Sequence, residues 1–343
     1  MNIICFVACA EVREIDVFRL DQASGTLGRI GAFAVPGTDS PSPSLPLAIS
    51  PDGRILYAAL RSPPFPVASF AIDASTGGLH LLDTARLPES MPWIATDRGG
   101  RHLLAASYGG NLLAVLPIGT QGVVRTPARQ VIPQPGHLHC LLTDPTNHHA
   151  YATLISGDRI LHYHFDAGAG RLSPATPDGI ATAPGTNPRH LCFGRDGSVL
   201  YAVNDTGGSI SAYAVDPASG DLREIQTIPL LPSGAQAAPA AADIHLTPDG
   251  RFLYASERAN NLLAAFRVDP ASGQLEMTGT VAAPTGPRGF AIEPGGRFLL
   301  CAGQQSHSVV SYAIDPQTGE LSRRAETATG GNPNWIETVI LGS

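Results

Sequence analysis

Several things are scarce in this chain of 343 residues. Charged residues make up only 15% of it, and no run of apolar residues approaches the roughly 20 needed to span a membrane. The apolar N-terminal run, 3–10, has no basic residue before it and is followed at once by Glu11 and Arg13, so it reads as a strand and not as a signal peptide. No segment carries a sustained helical period, which argues against a helical bundle or an alternating α/β fold. No linker or low-complexity tract divides the chain, so a single domain over 1–343 is expected. The formal net charge of −7 disfavours a general nucleic-acid or anionic-membrane surface.

Chemistry-bearing motifs are scarce too. There is no G-x-S-x-G elbow, no H-E-x-x-H and no phosphate-binding loop of the P-loop kind. The five cysteines (Cys5, Cys9, Cys140, Cys192 and Cys301) are odd in number and mostly lie in strand-like runs. They read as buried free thiols in a reducing cytoplasm. No pair has zinc-site spacing, and neither a metal nor a cofactor is expected.

Turn residues are plentiful, and they recur on a period. PDGRFLY at 248–254 has five relatives: PDGRILY ending at Tyr57, RGGRHLL at Leu104, PTNHHAY at Tyr151, RDGSVLY at Tyr201 and PGGRFLL at Leu300. Their spacings are 47, 47, 50, 53 and 46 residues, a period that marks a repeat architecture. A second signature, aromatic-x-x-Asp followed by Ser/Thr-Gly-x-Leu, ends at Leu27, Leu79, Leu222, Leu275 and Leu321, with weaker copies ending at Leu172 and Val124. Between these motifs lie short runs rich in Val, Ile, Leu, Tyr and Phe, the pattern of strands in hairpins.

Seven copies of the second motif meet only six of the first, and the missing turn falls across the chain ends. The N-terminus enters mid-repeat; the closing NPNWIETVI matches the segments that precede a turn motif and stops short of one. The fold expected is therefore all-β: a seven-bladed β-propeller closed by a blade shared between the N- and C-termini. Seven repeats in 343 residues leave 49 for each, enough for four strands.

In such a ring the start of each first strand and the end of each second strand face one mouth. The first set holds Leu45, Pro92, His139, Arg189, Ala242 and Arg288, with Asn334 the least certain member, followed by Pro46, Trp93, Cys140, His190, Asp243, Gly289 and Trp335. The second set holds Ala10, Arg61, Tyr108, Ile155, Asp205, Arg258 and Gln304. Elsewhere the repeats agree; here they diverge toward Arg, His, Asp and aromatic residues. Four arginines at one mouth of an acidic protein imply an anionic ligand or a developing negative charge. His139 and Asp205 offer the base and carboxylate that water activation needs. Trp93, Tyr108 and Trp335 offer flat walls for a sugar ring.

Plainer roles exist for each. Arg61 can be a solvated rim residue, His139 a structural histidine, Asp205 the closure of a turn before Gly207, and Asp243 and His245 a strand brace. His137, His148, His149, His162 and His164 read as surface or turn residues.

GTNPRHLCF, YAVND, AADIHLTPDGRFLYASER, PRGFAIEPGGRFLLCAGQQSHSVVSYAID and the closing NPNW carry a resemblance along essentially the whole chain. The sequence resembles the seven-bladed lactonase family and, within it, the bacterial propeller-type 6-phosphogluconolactonases. The resemblance implies hydrolysis of a sugar 1,5-lactone, most simply 6-phospho-D-glucono-1,5-lactone, in the oxidative pentose phosphate pathway. The family's mouth residues carry over onto His139, Arg189, Arg258 and Arg288, with Asn204-Asp205 in place of its Asn-Glu pair. Catalytic roles are expected of His139, Arg189, Asp205 and Arg258, and the reading of the mouth adds Arg61, Trp93, Tyr108, Asp243, His245, Gln304 and Trp335 to Arg288 as substrate contacts. Asp205 stands where the family has Glu, one methylene shorter. Trp93 and Gln305 stand where enterobacterial members have His and Lys, which removes two possible phosphate partners. An unphosphorylated aldonolactone, or a lactone-forming cycloisomerisation of a carboxymuconate, is the alternative, and a non-catalytic binding propeller comes last. The expected partner is a small anionic sugar lactone, with no nucleic acid or membrane, and the expected state is a monomer or weak homo-oligomer in the cytoplasm.

Overall fold

A computed structural model describes residues 2–232 and 237–342. Its strands form seven four-stranded antiparallel sheets, and six of these are continuous in sequence. Blade 1 is the exception. Its innermost strand, Pro333–Leu341, comes from the C-terminus and pairs antiparallel with Asn2–Cys9 from the N-terminus, in a register running from Asn2↔Leu341 to Cys9↔Pro333. Blades 2 to 7 begin at Leu47, Trp93, Leu138, Pro188, Ala241 and Pro287. Each innermost strand touches that of the next blade, and the circuit closes from blade 7 through blade 1 to blade 2. The shared blade expected from the mismatched motif counts is thus present. No helix among the described residues is long and apolar enough to cross a membrane.

The two repeating motifs recur together because they bond to each other across blades. The tyrosine closing the first motif donates its hydroxyl to the glycine carbonyl of the second motif in the following blade. Tyr57 reaches Gly122 at 2.8 Å, Tyr151 reaches Gly220 at 2.5 Å, Tyr201 reaches Gly273 at 2.9 Å and Tyr254 reaches Gly319 at 2.7 Å. These tyrosines are buried, so each hydroxyl needs such a partner. The glycines sit at φ +72 to +76°, where an L side chain is strained, and a Cβ on Gly319 would meet the Phe252 ring at 2.3 Å. The motif aspartate closes its own turn: Asp269 Oδ1 accepts the Ala271 and Ser272 amides at 3.0 and 2.7 Å. Apolar side chains from the middle strands of neighbouring blades fill the space between them, as Leu56, Ala58, Phe6 and Val17 do between blades 1 and 2.

One irregularity positions the site. The innermost strands of blades 4, 5, 6, 7 and 1 each shift register near their start, at Leu138/Leu141, Pro188/His190, Ala241/Ile244, Pro287/Gly289 and opposite Ala8/Cys9. The residues inside these bulges are His139 and Cys140, Arg189, Ala242 and Asp243, Arg288, and Asn334. A bulge removes a residue from the ladder and re-aims its side chain, here toward the mouth of the ring. Side chains of the second strands brace the bulges: Thr153 Oγ1 accepts the Cys140 amide and donates to the Arg189 carbonyl, and Ser256 Oγ accepts the Asp243 amide.

Candidate active site

Four arginines gather at the mouth: Arg61 of blade 2, Arg189 of blade 5, Arg258 of blade 6 and Arg288 of blade 7. The chain has no lysine; its 22 basic side chains are all arginine, so every one of these cations is permanently charged near neutrality. Arg189 is 2% exposed. Its Nη1 donates to the Ala242 carbonyl, and its Nε lies 3.6 Å from Asp205 Oδ2. Arg258 Nη2 donates to Asp205 Oδ1 at 2.7 Å, and its Nε to the Ala240 carbonyl at 3.0 Å. Asp205 is thus shared by two guanidinium groups. Arg61 is held by Ser90 Oγ and Ser44 Oγ, each at 3.1 Å.

Arg288 differs from the other three. It is partly buried and makes no hydrogen bond or ion pair to the described residues. Burial, then Arg189, Arg258 and Arg61, push its pKa well below the usual arginine value, and Asp205 alone opposes them. Burial and Arg258 likewise lower Arg189 to about 10. The mouth therefore carries more positive charge than its one shared carboxylate offsets.

His139 sits among these cations, 6% exposed, with its Nδ1 sealed from solvent and without a hydrogen-bond partner. Burial, then Arg189, His190, Arg288 and Arg61, hold its pKa well below the ordinary histidine value. The Tyr108 ring meets it edge-on at 6.4 Å and stacks on His137 at 4.2 Å.

Below the mouth the channel is aromatic. The Trp93 ring lies 4.7 Å from His190 and 5.4 Å from Trp335, both edge-on. The two indole planes stand at 67° to each other, and their N–H groups are engaged with the Leu141 carbonyl at 2.9 Å and Glu337 Oε1 at 3.0 Å. They make a corner around His190.

Two expected substrate contacts already have protein partners. Asp243 is 8% exposed and spends both carboxylate oxygens on protein N–H groups, so it is a brace, not a ligand group. Gln304 donates to Asn332 Oδ1 at 2.7 Å. His245 lies two residues further down its strand. It lies on the innermost strand of its blade, yet 41% of its side chain is accessible. Burial lowers its pKa, but Asp243 outweighs that and raises it.

Two residues escaped the sequence reading. His190 lies in the same divergent column as Trp93 and Asp243 and could have been chosen from it. Glu337 lies two residues deeper along its strand, where other blades have Ala48, Ala95, Leu142, Cys192, His245 and Ala291. Burial raises its carboxyl pKa to about 7, against the Trp335 hydrogen bond and His245. Of the cysteines, all are free and only Cys192 is partly accessible. Among the described residues no group of three His, Cys, Asp or Glu side chains is placed to hold a metal ion.

Comparison with known proteins agrees with this architecture. The family described as Lactonase, 7-bladed beta-propeller, matches residues 4–338. A 6-phosphogluconolactonase of Pectobacterium carotovorum is 39% identical over 341 residues, covering 99% of this chain and all of the relative. One from Serratia proteamaculans is 36% identical over 85% of this chain and 86% of its own. Among solved structures, a periplasmic gluconolactonase of Pseudomonas aeruginosa superposes with a TM-score of 0.89 at 30% identity, covering 99% of this chain and 100% of that one.

Proposed function

The chain belongs to the seven-bladed β-propeller lactonase family, and from that premise we propose that it hydrolyses an anionic sugar 1,5-lactone, with 6-phospho-D-glucono-1,5-lactone as the best fit. The observation that carries the anionic part is Arg288, a guanidinium with no acceptor among the described residues, set among three others. An anion there supplies the missing acceptor and offsets the mutual repulsion. The relatives named as 6-phosphogluconolactonases support the same substrate class.

The chemistry follows from the charges. Arg288 and Arg61 hold the anionic group. Arg189 and Arg258 keep N–H donors beside the lactone carbonyl, where one well-placed donor on the oxyanion lowers the barrier by about 3 kcal/mol. His139 is neutral in the free enzyme because burial, and then the cations around it, disfavour its protonation. The substrate anion weakens that suppression, and His139 then takes the proton of the attacking water. The tetrahedral intermediate collapses with loss of the ring oxygen, which receives that proton from His139. The products are the open hydroxy acid as carboxylate and one released proton. Asp205, clamped by two arginines, holds the guanidinium groups in place.

The carboxylate of a muconate would suit the same arginines, and a neutral aldonolactone would suit the aromatic corner of Trp93 and Trp335. Lactone hydrolysis is read above the spontaneous rate with freshly prepared 6-phosphogluconolactone, gluconolactone and galactonolactone. Loss of diene absorbance from carboxymuconate is read in parallel. Acceleration of no lactone overturns the proposal; loss of the diene signal alone replaces it with the cycloisomerase. The free thiols fit a reducing cytoplasm as the site of action.

A further inference from the structure

His190 has no task in the scheme above, yet it is 3% exposed and lies 4.9 Å, ring to ring, from His139. Its two nitrogens meet partners of opposite kind. Nδ1 is 2.8 Å from Asp243 Oδ1, and Nε2 is 3.2 Å from Arg189 Nη1.

Asp243 can only accept. Besides His190, its Oδ1 takes the Ile244 amide at 3.0 Å; its Oδ2 takes His245 Nε2 at 3.1 Å and the Phe290 amide at 3.2 Å. Four N–H groups on two oxygens demand the ionised carboxylate, and His245 and the hydrogen bond from His190 keep its pKa low against the effect of burial. Arg189 can only donate. One state of the imidazole satisfies both neighbours: the proton on Nδ1 and a lone pair on Nε2. The other tautomer, or the imidazolium, would set an N–H against the N–H of Arg189. Burial and Arg189 accordingly push the His190 pKa down to about 3.

The fold does not require this arrangement. In the column that holds His190 and Asp243, other blades carry Pro46, Cys140 and Gly289, and the ring closes around them equally well. Arg189 does require it. Its nearest carboxylate, Asp205, is 3.6 Å away and shared with Arg258, so the orientation of the guanidinium depends on the Ala242 carbonyl and on His190.

We propose that His190 is a positioning residue: a permanently neutral bridge through which Asp243 fixes the guanidinium of Arg189 at the mouth. Its kinetic consequences rest on the lactonase reading; its protonation state does not. A bridge needs one donor and one acceptor but no titration. Glutamine supplies both, with its amide N–H toward Asp243 and its carbonyl toward Arg189. Leucine supplies neither.

The test compares His190→Gln, His190→Leu and Asp243→Asn in steady-state hydrolysis, with ¹⁵N NMR of the histidine side chains at pH 7. The expected results are a kcat for His190→Gln within about threefold of the parent, with an unchanged pH profile, and a loss of about 100-fold in His190→Leu and Asp243→Asn. The parent spectrum should show His190 protonated at Nδ1, and Asp243→Asn should disturb that state. His190→Gln as inactive as His190→Leu would overturn the proposal, because His190 would then be moving protons. So would a parent His190 protonated at Nε2 or at both nitrogens. The NMR measurement needs no substrate, so absence of lactonase activity would sink the functional reading while leaving the bridge to be judged on the spectrum.

Discussion

Arg258 reaches from blade 6 to blade 5 and donates its Nη2 to Oδ1 of Asp205 at 2.7 Å, while the other oxygen of Asp205 faces Arg189. This relationship makes Asp205 the clamp of two arginines. A double-mutant cycle on Arg258→Ala and Asp205→Ala tests it. Each single change should lower kcat/KM by about tenfold or more, and the double variant should lose less than the product of the two single losses, since part of each acts through the shared Arg258–Asp205 contact. Additive losses would mean that Asp205 acts on substrate by itself.

Arg288 is a cation without a partner among the described residues, so its removal should separate binding from stability. Arg288→Met should raise KM for a phosphorylated lactone by about 10–100-fold, the worth of a charge-assisted hydrogen-bonded pair, and leave KM for gluconolactone nearly unchanged. The same variant should melt at a higher temperature than the parent in the absence of ligand, because a crowded, half-buried charge has been replaced by an apolar chain. Calorimetry without substrate checks the second part.

The suppressed basicity of His139 sets a pH profile. Its folded pKa lies well below the ordinary histidine value. The neutral, competent form therefore persists as pH falls past 6.5, and kcat/KM should stay level at pH values where an unperturbed histidine would already cut it tenfold or more. The profile of kcat, which reports the complex, should show its acid limb at higher pH, since the bound anion restores basicity. His139→Asn should lose about 10²–10⁴-fold in kcat.

Glu337 and His245 predict a stability profile of definite sign. Both have folded pKa values above their unfolded ones, Glu337 at about 7. At these two groups the folded protein binds more protons than the unfolded chain from about pH 4.5 upward, so their contribution to stability falls as pH rises through 7, opposite in sign to that of the buried neutral histidines His139 and His190. Glu337→Gln should flatten that slope and raise stability at pH 8 by on the order of 2 kcal/mol, read from urea unfolding at a series of pH values.

The sequence displayed the ring because a blade cannot bury its faces alone and so repeats the contacts that join it to the next. Tyr201 and Gly273 belong to different motifs and different blades, yet their hydrogen bond explains why both motifs keep step. The mouth was legible for the converse reason: His139, Arg189 and Arg288 break a pattern that folding alone would preserve. What stayed hidden depended on partners in other blades. Arg189 and Arg288 look equivalent in NPRH and GPRG, but one is buried against a carbonyl and a histidine and the other lacks an acceptor. Asp243 reads in the sequence as a ligand residue or a brace, and only the four donors from three blades on its carboxylate separate the two. The bulges that re-aim these side chains leave no mark in the periodicity, because one extra residue is absorbed within a variable spacing. Glu337 owes its raised pKa to enclosure, which no local pattern encodes.

The central claim is that clustered guanidinium groups at one mouth serve an anionic lactone. The most direct measurement is the initial rate of acid release in a pH-stat, with parent and Arg288→Met each given 6-phosphogluconolactone and gluconolactone, corrected for spontaneous opening. The account predicts that the parent accelerates hydrolysis and prefers the phosphorylated lactone by at least about tenfold, and that the preference largely vanishes in Arg288→Met. A parent that accelerates neither lactone, or one whose preference survives the loss of Arg288, would contradict it.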